Sequence, residues 1–296
     1  MSMPTPTREQ SRADAALLAE WLARYERVFV LTGAGCSTGS GIPDYRDAAG
    51  QWKRPAPVTF QALTGDPAVY RRYWARGHVG WPKFKSARPN AAHHALAELG
   101  HAGPVHTLVT QNVDRLHQRA GSPEVIDLHG RLDAVVCLGC GARSDRDALQ
   151  ALMEDGNPGW DPGPAAFAPD GDADIAAEAE IAYRPPRCPA CDGLLKPDVV
   201  FFGENVPRER LAVALGALEQ ADAMLVAGSS LMVYSGFRFA RLAHESGKPL
   251  AILNRGATRA DALATLRLDG EVGATLGQAA AAMPATREDS AQRGAT

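Results

Sequence analysis

Residues 33–47 read GAGCSTGSGIPDYRD and directly follow a short apolar run, VFVLT at 28–32. The run is rich in β-branched and aromatic side chains, which is typical of a buried strand. Four glycines in the following stretch let backbone amides approach a phosphate closely and supply turns with positive φ. The stretch is not the GxGxxG fingerprint, and a plain glycine-rich turn fits it equally well in isolation. Its continuation through Asp44 and Arg46 makes it more specific.

Further short apolar runs of the same kind follow along the chain, and each ends in a polar or glycine-rich turn. A helix is predicted over 13–25, and strands are predicted over 27–32, 105–110, 223–227 and 249–253. The turns read TGAGCS, TQNVD, GSS and NRG. Because helix-compatible sequence separates the strands, the alternation predicts an α/β fold with a parallel sheet. Ligands of such sheets bind at the carboxyl ends of the strands, so four loops should meet in one crevice.

The composition is that of a globular protein. The chain has 296 residues, of which 45% are hydrophobic, and a formal net charge of -3. It carries no basic excess that would predict direct nucleic-acid binding. No apolar run reaches the 18 or so residues of a spanning helix, and the N-terminus lacks the charged and apolar regions of a secretory signal. Richness in Ala, Gly and Arg favours a bacterial cytoplasmic protein over one of the mitochondrial matrix.

Five cysteines are present, and four of them form two CxxC pairs, Cys137/Cys140 and Cys188/Cys191. In a reducing compartment this spacing is typical of metal binding rather than of disulfides. Four thiolates suit one tetrahedral Zn²⁺ with no open position, which implies a structural role. A redox function of either pair is the alternative. Cys36 is left over and is expected to be a small packed residue of the glycine-rich loop.

The chain is expected to divide into two units and a tail. Periodicity is lost between the two cysteine pairs, where an acidic stretch, 158–180, is expected to form a long flexible loop. We therefore predict a small zinc-binding module over 131–196, inserted into a larger domain made of 13–130 and 197–283. The polar tail, 284–296, is expected to be flexible.

Several motifs occur together and in a fixed order: GAG-x-S, GIPD-[FY]-R, TQNVD, an HG dipeptide, the paired CxxC units and FFGE. In this combination the chain resembles the sirtuin family from Val28 to Leu276. The resemblance implies a Rossmann-like parallel sheet, NAD as cosubstrate and one structural Zn²⁺. The stretch YRRYWARGHVGWPKF, 70–84, further resembles the class II mitochondrial branch, which includes a lipoamidase and ADP-ribosyltransferase.

The resemblance also assigns the NAD site. It implies that Gln111 contacts the nicotinamide ribose, Asn112 the reacting centre and its water, and Asp114 the carboxamide. Without it, Asn112 or Asp114 could equally be a helix cap. The residues expected to contact NAD are Gly33, Ala34, Gly35, Ser37, Ile42, Pro43, Asp44, Tyr45, Arg46, Gln111, Asn112, Asp114, Gly228, Ser229, Ser230, Asn254, Arg255, Gly256 and Val272.

His129 of the HG dipeptide is the expected general base, together with Asn112 and Asp114 as catalytic residues. An imidazole is suited to taking a proton from a hydroxyl near neutral pH. A lone histidine is more often structural, and it is the resemblance that selects His129 among the eight. By the same resemblance, Val200 and Phe201 should line the acyl-lysine tunnel, where the substrate adds as a strand.

Tyr73 and Arg76 are a further pair of candidate substrate residues. They share one face if 69–76 is helical. The pair resembles the Tyr-x-x-Arg of class III sirtuins, which remove succinyl and glutaryl groups, and would then favour acyl groups that end in a carboxylate. The alternative is an amphipathic surface helix in which Arg71, Arg72 and Arg76 are solvated.

The resemblance implies an NAD-dependent protein lysine deacylase that releases nicotinamide and O-acyl-ADP-ribose. Its partners are acyl-lysine proteins, with no direct nucleic-acid or membrane partner. A protein mono-ADP-ribosyltransferase or a lipoamidase on the same scaffold is the main alternative. A binding protein without activity is disfavoured by the intact Asn112, Asp114 and His129, and a zinc-ribbon nucleic-acid module by the negative net charge.

Overall fold

A computed structural model describes residues 8–55 and 57–283 of the chain, so the tail predicted over 284–296 lies outside the described residues. The helices in this part are α1 (Arg8–Leu22), α2 (Phe60–Gly65), α3 (Pro67–Ser86), α4 (Ala91–Ala102), α5 (Leu116–Arg119), α6 (Arg146–Gly156), α7 (Ala177–Ala182), α8 (Arg208–Gln220), α9 (Tyr234–Glu245) and α10 (Val272–Ala282). No helix in these ranges is long and apolar enough to cross a membrane.

The strands of the described chain are β1 (Val28–Thr32), β2 (Val105–Thr110), β3 (Val125–Asp127), β4 (Gly130–Cys137), β5 (Arg143–Asp145), β6 (Ala166–Phe167), β7 (Ala173–Asp174), β8 (Leu195–Val199), β9 (Ala223–Ala227), β10 (Leu250–Leu253) and β11 (Leu266–Leu268). Six of them form one sheet in the order β11-β10-β9-β1-β2-β3, and every pairing in it is parallel. The predicted α/β fold is therefore confirmed. The edge strands β3 and β11 were not predicted.

Helices cover both faces of the parallel sheet. Val28 and Val30 of β1 pack in a core with residues of α1, α4 and α10. Phe29 and Leu31 point the other way, into a core with residues of α8 and α9. Side chains of a strand alternate between the two faces, so one run of apolar residues supplies both cores. The carboxyl end of β1, where the glycine-rich loop starts, is thereby held rigidly in the middle of the sheet.

A second unit contains the cysteine pairs. Strands β5, β4 and β8 form an antiparallel sheet, and α6 and α7 lie between the two pairs. The long loop predicted over 158–180 is wrong, because 166–174 forms a hairpin and 177–182 a helix. Two-residue strands are too short to leave a period-2 pattern, so the sequence carried no signal for them.

Helices α2 and α3 pack on this second unit. Leu63, Tyr70 and Trp74 share a core with Val135 of β4 and Leu149 of α6. The predicted division at residue 131 stays a prediction, and we propose that the smaller unit also includes α2 and α3. The long segment between β1 and β2, which contains α2 and α3, thus forms one wall of that unit.

Two histidines lie buried behind the parallel sheet. His93 of α4 is fully buried, His117 of α5 is 1% exposed, and their ring centroids lie 4.7 Å apart. His117 Nε2 lies 2.9 Å from Thr32 Oγ1 at the end of β1, and Thr32 Oγ1 donates to Thr110 Oγ1. Burial lowers the pKa of both imidazoles, that of His93 to about 4. Both are therefore neutral in the folded chain.

The buried histidine pair predicts a loss of stability on acidification. Between pH 6.5 and about 4 the unfolded chain binds protons that folded His93 and His117 do not, so the free energy of unfolding should fall as the pH falls. For His93 alone the full loss is about 3 kcal/mol. Urea unfolding from pH 7.5 to 5 should show about 2 kcal/mol of this loss. His93→Gln should reduce this pH slope without abolishing it, because the pKa values of His117 and His129 are lowered as well, and an identical slope in the variant would contradict the assignment.

Candidate active site

The loops after β1 and β9 meet at the centre of the sheet, where only glycines fit. A Cβ on Gly33 or Gly35 would lie 2.8 Å from backbone atoms of Gly228, and one on Gly228 would lie 2.4 Å from the backbone N of Cys36. Gly228 also has φ 65, which favours glycine. Backbone packing of this kind brings two sets of amides to one cleft.

The cleft at the carboxyl ends of the strands brings together most of the predicted NAD and substrate residues. Gly256 and Val272 are not on its lining: Gly256 packs against Ala48, and Val272 is buried at the start of α10. The predicted residues that line the cleft are Gly33, Ala34, Gly35, Ser37, Ile42, Pro43, Asp44, Tyr45, Arg46, Gln111, Asn112, Asp114, His129, Val200, Gly228, Ser229, Ser230, Asn254 and Arg255.

Asn112 and Asp114 are joined through Ser37. Asn112 Nδ2 donates to Gly33 O at 3.0 Å and to Ser37 Oγ at 3.1 Å, and Ser37 Oγ donates to Asp114 Oδ2 at 2.6 Å. Burial raises the pKa of Asp114, while the hydrogen bonds from Ser37 and from the backbone N–H of Leu116 oppose that rise. The arrangement fixes one amide and one carboxylate at the end of β2, where they can bind a carboxamide and ribose hydroxyls.

His129 lies between β3 and β4 and is held through both ring nitrogens. Its Nδ1 lies 3.0 Å from Gln111 O, and its Nε2 lies 2.8 Å from Ser235 Oγ. A carbonyl oxygen can only accept, so Nδ1 carries the hydrogen and Nε2 keeps its lone pair toward Ser235. Burial lowers the pKa of His129 to about 4, against the opposing effect of the Gln111 carbonyl. A neutral imidazole with an unprotonated nitrogen is the form that a general base requires.

Gln111 links the β2 loop to the β9 loop. Its Nε2 donates to Ser229 Oγ at 2.7 Å and to Thr32 O at 3.2 Å. A Cβ on Gly236 would lie 2.3 Å from Gln111 Oε1, so the start of α9 also closes on this side chain. The side-chain amide of Gln111 therefore joins the carboxyl ends of β1, β2 and β9.

The four paired cysteines meet at the tip of the antiparallel sheet, and their Sγ atoms all lie within 4.8 Å of one another. The Sγ distances are 3.5 Å for Cys137 to Cys191 and 3.8 Å for Cys140 to Cys188. Zn–S bonds of about 2.3 Å in a tetrahedron place sulfurs about 3.8 Å apart, whereas a disulfide needs about 2.05 Å. Backbone N–H groups of Cys140 and Gly139 lower the pKa of Cys137 to about 6. The donor set fits one structural Zn²⁺.

A model of the Sir2 family matches residues 33–235. The chain belongs to the Sir2 family. It is 61% identical over 252 residues to the NAD-dependent protein deacetylase of Xanthomonas campestris pv. campestris, covering 85% of this chain and 86% of that protein. It is 56% identical over 259 residues to NAD-dependent protein deacetylase 2 of Bradyrhizobium diazoefficiens, covering 88% and 95%.

Solved Sir2 structures share the fold. One, a Sir2 variant with a deacetylated p53 peptide and 3'-O-acetyl ADP ribose, has a TM-score of 0.71 and 31% identity, over 89% of this chain and 96% of that chain. Another, a Sir2 homologue in complex with ADP ribose, has a TM-score of 0.70 and 32% identity, over 90% and 94%. The predicted sirtuin family and Rossmann-like sheet are confirmed. The predicted activity class, an NAD-dependent protein deacylase, is confirmed by the same relatives. The class II branch stays a prediction.

The segment after β8 forms the other wall of this Sir2 cleft. β8 ends at Val199, and the backbone N–H of Val200 donates to His129 O at 2.7 Å. Val200 lines the cleft, whereas Phe201 is 8% exposed and packs on Tyr73 with ring centroids 5.4 Å apart. Tyr73 and Arg76 lie on α3 outside the lining of the cleft. Their role in acyl recognition stays a prediction.

Sequence reasoning missed several residues that line or support the cleft. Ser235 contacts His129 Nε2 and ends the stretch GSSLMVYS, 228–235, which follows the predicted strand 223–227. Nothing in its spacing tied it to a histidine 106 residues away. Trp52 lies under the guanidinium of Arg46, with the Cζ atom 3.7 Å from the ring centroid. Asp170 reaches the cleft from the insert. An arginine next to an aromatic-rich stretch was the one signal that could have found Trp52.

Proposed function

We propose that this chain removes acyl groups from lysine side chains of proteins with NAD as cosubstrate, and that His129, Asn112 and Asp114 carry the chemistry. The observation that carries the assignment is the neutral His129, which lines the same cleft as Asn112 and Ser37 and whose unprotonated Nε2 lies 2.8 Å from Ser235 Oγ. A base for a ribose hydroxyl and polar groups for a carboxamide then stand in one cleft.

Different residues of the chain are proposed to bind the parts of NAD and to move the proton. When bound, NAD supplies an activated ribose carbon, because nicotinamide is its leaving group. The glycine-rich loops after β1 and β9, which line the cleft, are suited to the diphosphate, and Asp114 to the carboxamide. Asn112, whose Nδ2 donates to Gly33 O, holds the face of the ribose on which the reaction takes place. His129 takes a proton at Nε2, and the Gln111 carbonyl stabilises the imidazolium that forms.

The acyl-lysine is proposed to lie along the segment after β8. This segment leaves the antiparallel sheet at Val199 and runs past His129, with Val200 on the cleft. An extended peptide bound there by backbone hydrogen bonds would place its lysine beside His129. We also propose the bacterial cytoplasm as the location, which the bacterial source of the relatives supports.

Product analysis tests the activity. The protein, NAD and an acetyl-lysine peptide are incubated together, and mass spectrometry follows the peptide, nicotinamide and acetyl-ADP-ribose. We expect nicotinamide and deacetylated peptide in equal amounts. Nicotinamide release with ADP-ribose attached to protein would instead support the transferase alternative, and release of lipoate from a lipoyl-lysine peptide would support the lipoamidase.

The low pKa of His129 predicts that kcat/KM does not fall on the acid side of its pH profile. Burial holds this pKa near 4, so the imidazole stays neutral as the pH falls from 8 to about 5, and kcat/KM should show no loss from its protonation. The profile of kcat/KM on an acetyl-lysine peptide measures this directly. An acid limb at pH 6.5 or above would show that the base titrates like a solvated histidine.

A further inference from the structure

The hairpin of the insert, residues 166–174, is docked tightly on α3. A Cβ on Gly80 of α3 would lie 2.0 Å from Gly171 O, so the hairpin backbone occupies the space that a side chain would fill. Gly171 has φ 69, and a Cβ on it would lie 2.9 Å from Leu132 Cδ2 and 3.4 Å from Phe84 Cβ. Two glycines thus let the turn of the hairpin sit between α3 and β4.

Charged groups hold the same hairpin from its open end. Arg76 Nε donates to Ala173 O at 2.8 Å and lies 3.0 Å from Asp172 Oδ1, and its guanidinium also pairs with Asp174. Arg54 pairs with Asp174 as well. Arg76 is therefore engaged on three acceptors of the hairpin. Its charge is balanced there rather than presented to the cleft.

The docked turn places one carboxyl group, that of Asp170, on the wall of the cleft. Asp170 has φ 55 and projects from the tip of the turn. Phe84 and Val199 line the same cleft and belong to the apolar cluster that also contains Leu132. The structure gives Asp170 no hydrogen-bond or ion-pair partner within residues 8–55 and 57–283. Although Asp170 is an exposed residue, partial desolvation in the cleft and the nearby Asp172 raise its pKa to about 7.

We propose that Asp170 determines acyl specificity by disfavouring acyl groups that end in a carboxylate, and that the pocket beside it takes short uncharged acyl chains. The proposal rests on the deacylase function proposed above. Asp170 lines the same cleft as Val199 and Val200, along which the acyl-lysine is proposed to lie. A second carboxylate brought to this wall would meet a like charge, and the two arginines that contact the hairpin, Arg76 and Arg54, are already paired with its own carboxylates.

The proposal opposes the expectation that Arg76 selects succinyl or glutaryl groups. A guanidinium that recognises an acyl carboxylate must present donors to the pocket. The donors of Arg76 point at Ala173 O, Asp172 and Asp174 instead. In this arrangement Arg76 acts through the hairpin, by fixing the turn that carries Asp170.

Two substrates that differ only in charge test the proposal at about pH 8.5, where Asp170 with its pKa of about 7 is ionised. One peptide carries glutaryl-lysine, and the other carries its primary amide, which has the same shape without the carboxylate. We expect kcat/KM for the amide to exceed that for the acid by about tenfold or more. In Asp170→Asn the ratio should fall by about tenfold, mainly through a lower KM for the acid. Asparagine tolerates positive φ, so the turn should be retained.

Controls make either outcome decisive. Asp170→Gly also tolerates φ 55 and should give the same change in ratio, and Glu178→Gln, an exposed acid of the same insert, should give none. A wild-type ratio near one, a preference for the acid, or a ratio unchanged by both Asp170 variants would overturn the proposal. A shift confined to the KM for NAD would also overturn it, since Asp170 would then face the cofactor. Failure of the deacylase function is distinct, because acetyl-lysine itself would then not be turned over.

Discussion

Replacing His129 with alanine should lower turnover of an acetyl-lysine peptide by about a hundredfold or more while NAD still binds. The side chain is the only imidazole on the cleft formed by the described residues, and its lone pair at Nε2 is aimed at Ser235 rather than at the diphosphate loops. The measurement is kcat by steady-state kinetics, with NAD affinity from calorimetry. A structural histidine would instead change stability and NAD affinity together.

Two further variants distinguish the role of His129 as the base from the roles of a neighbouring hydroxyl and of an exposed histidine. Ser235→Ala removes the hydroxyl that orients His129 Nε2 and leaves the hydrogen bond to Gln111 O, so a smaller loss than in His129→Ala is expected. His106→Ala changes an exposed imidazole of β2 and should leave turnover unchanged. Near-normal turnover in His129→Ala, with NAD bound, would remove His129 from the base role.

The middle of the sheet could be predicted from the sequence because its signals are local. The run at 28–32 is buried on both sides and the glycines after it make contacts that only glycine allows, so both leave strong patterns. The four cysteines are equally local as two spaced pairs. β3 and β11 have three residues each, and their existence depends on pairing at a sheet edge.

The parts of the site that the sequence did not predict depend on contacts between distant segments. Ser235 meets His129 across 106 residues, and Asp170 reaches the cleft only because Gly80 and Gly171 allow α3 and the hairpin to touch. The ion pairs of Arg76 are a further example. Arg76 pairs with Asp172 and Asp174 of a segment about a hundred residues away, and its spacing from Tyr73 on one helix could not predict these contacts. Spacing alone cannot reveal which partner a surface charge finds.

Replacing one zinc-ligand cysteine should have the largest effect on stability. Cys137 and Cys188 are buried in the core that also contains Tyr70 and Trp74, so losing the metal would loosen the packing of α3 as well as the cysteine knuckles. Binding of structural Zn²⁺ supplies about 10 to 16 kcal/mol of folding free energy in small zinc domains. We therefore expect Cys188→Ser to unfold the smaller unit at temperatures where the wild type is folded.

Metal analysis and thermal unfolding together test this expectation. The wild type should contain about one zinc per chain, and Cys188→Ser should contain little zinc and show a lower Tm with early proteolysis of the insert. Cys36→Ala is the matched control, because Cys36 is a buried residue of the glycine-rich loop, its thiol donates to Ala227 O, and it belongs to neither pair. That variant should keep one zinc.

The hairpin that carries Asp170 is anchored on α3, so zinc loss should also change acyl preference before it abolishes NAD binding at the parallel sheet. A protein that is metal-free and yet fully stable and active would refute the structural zinc.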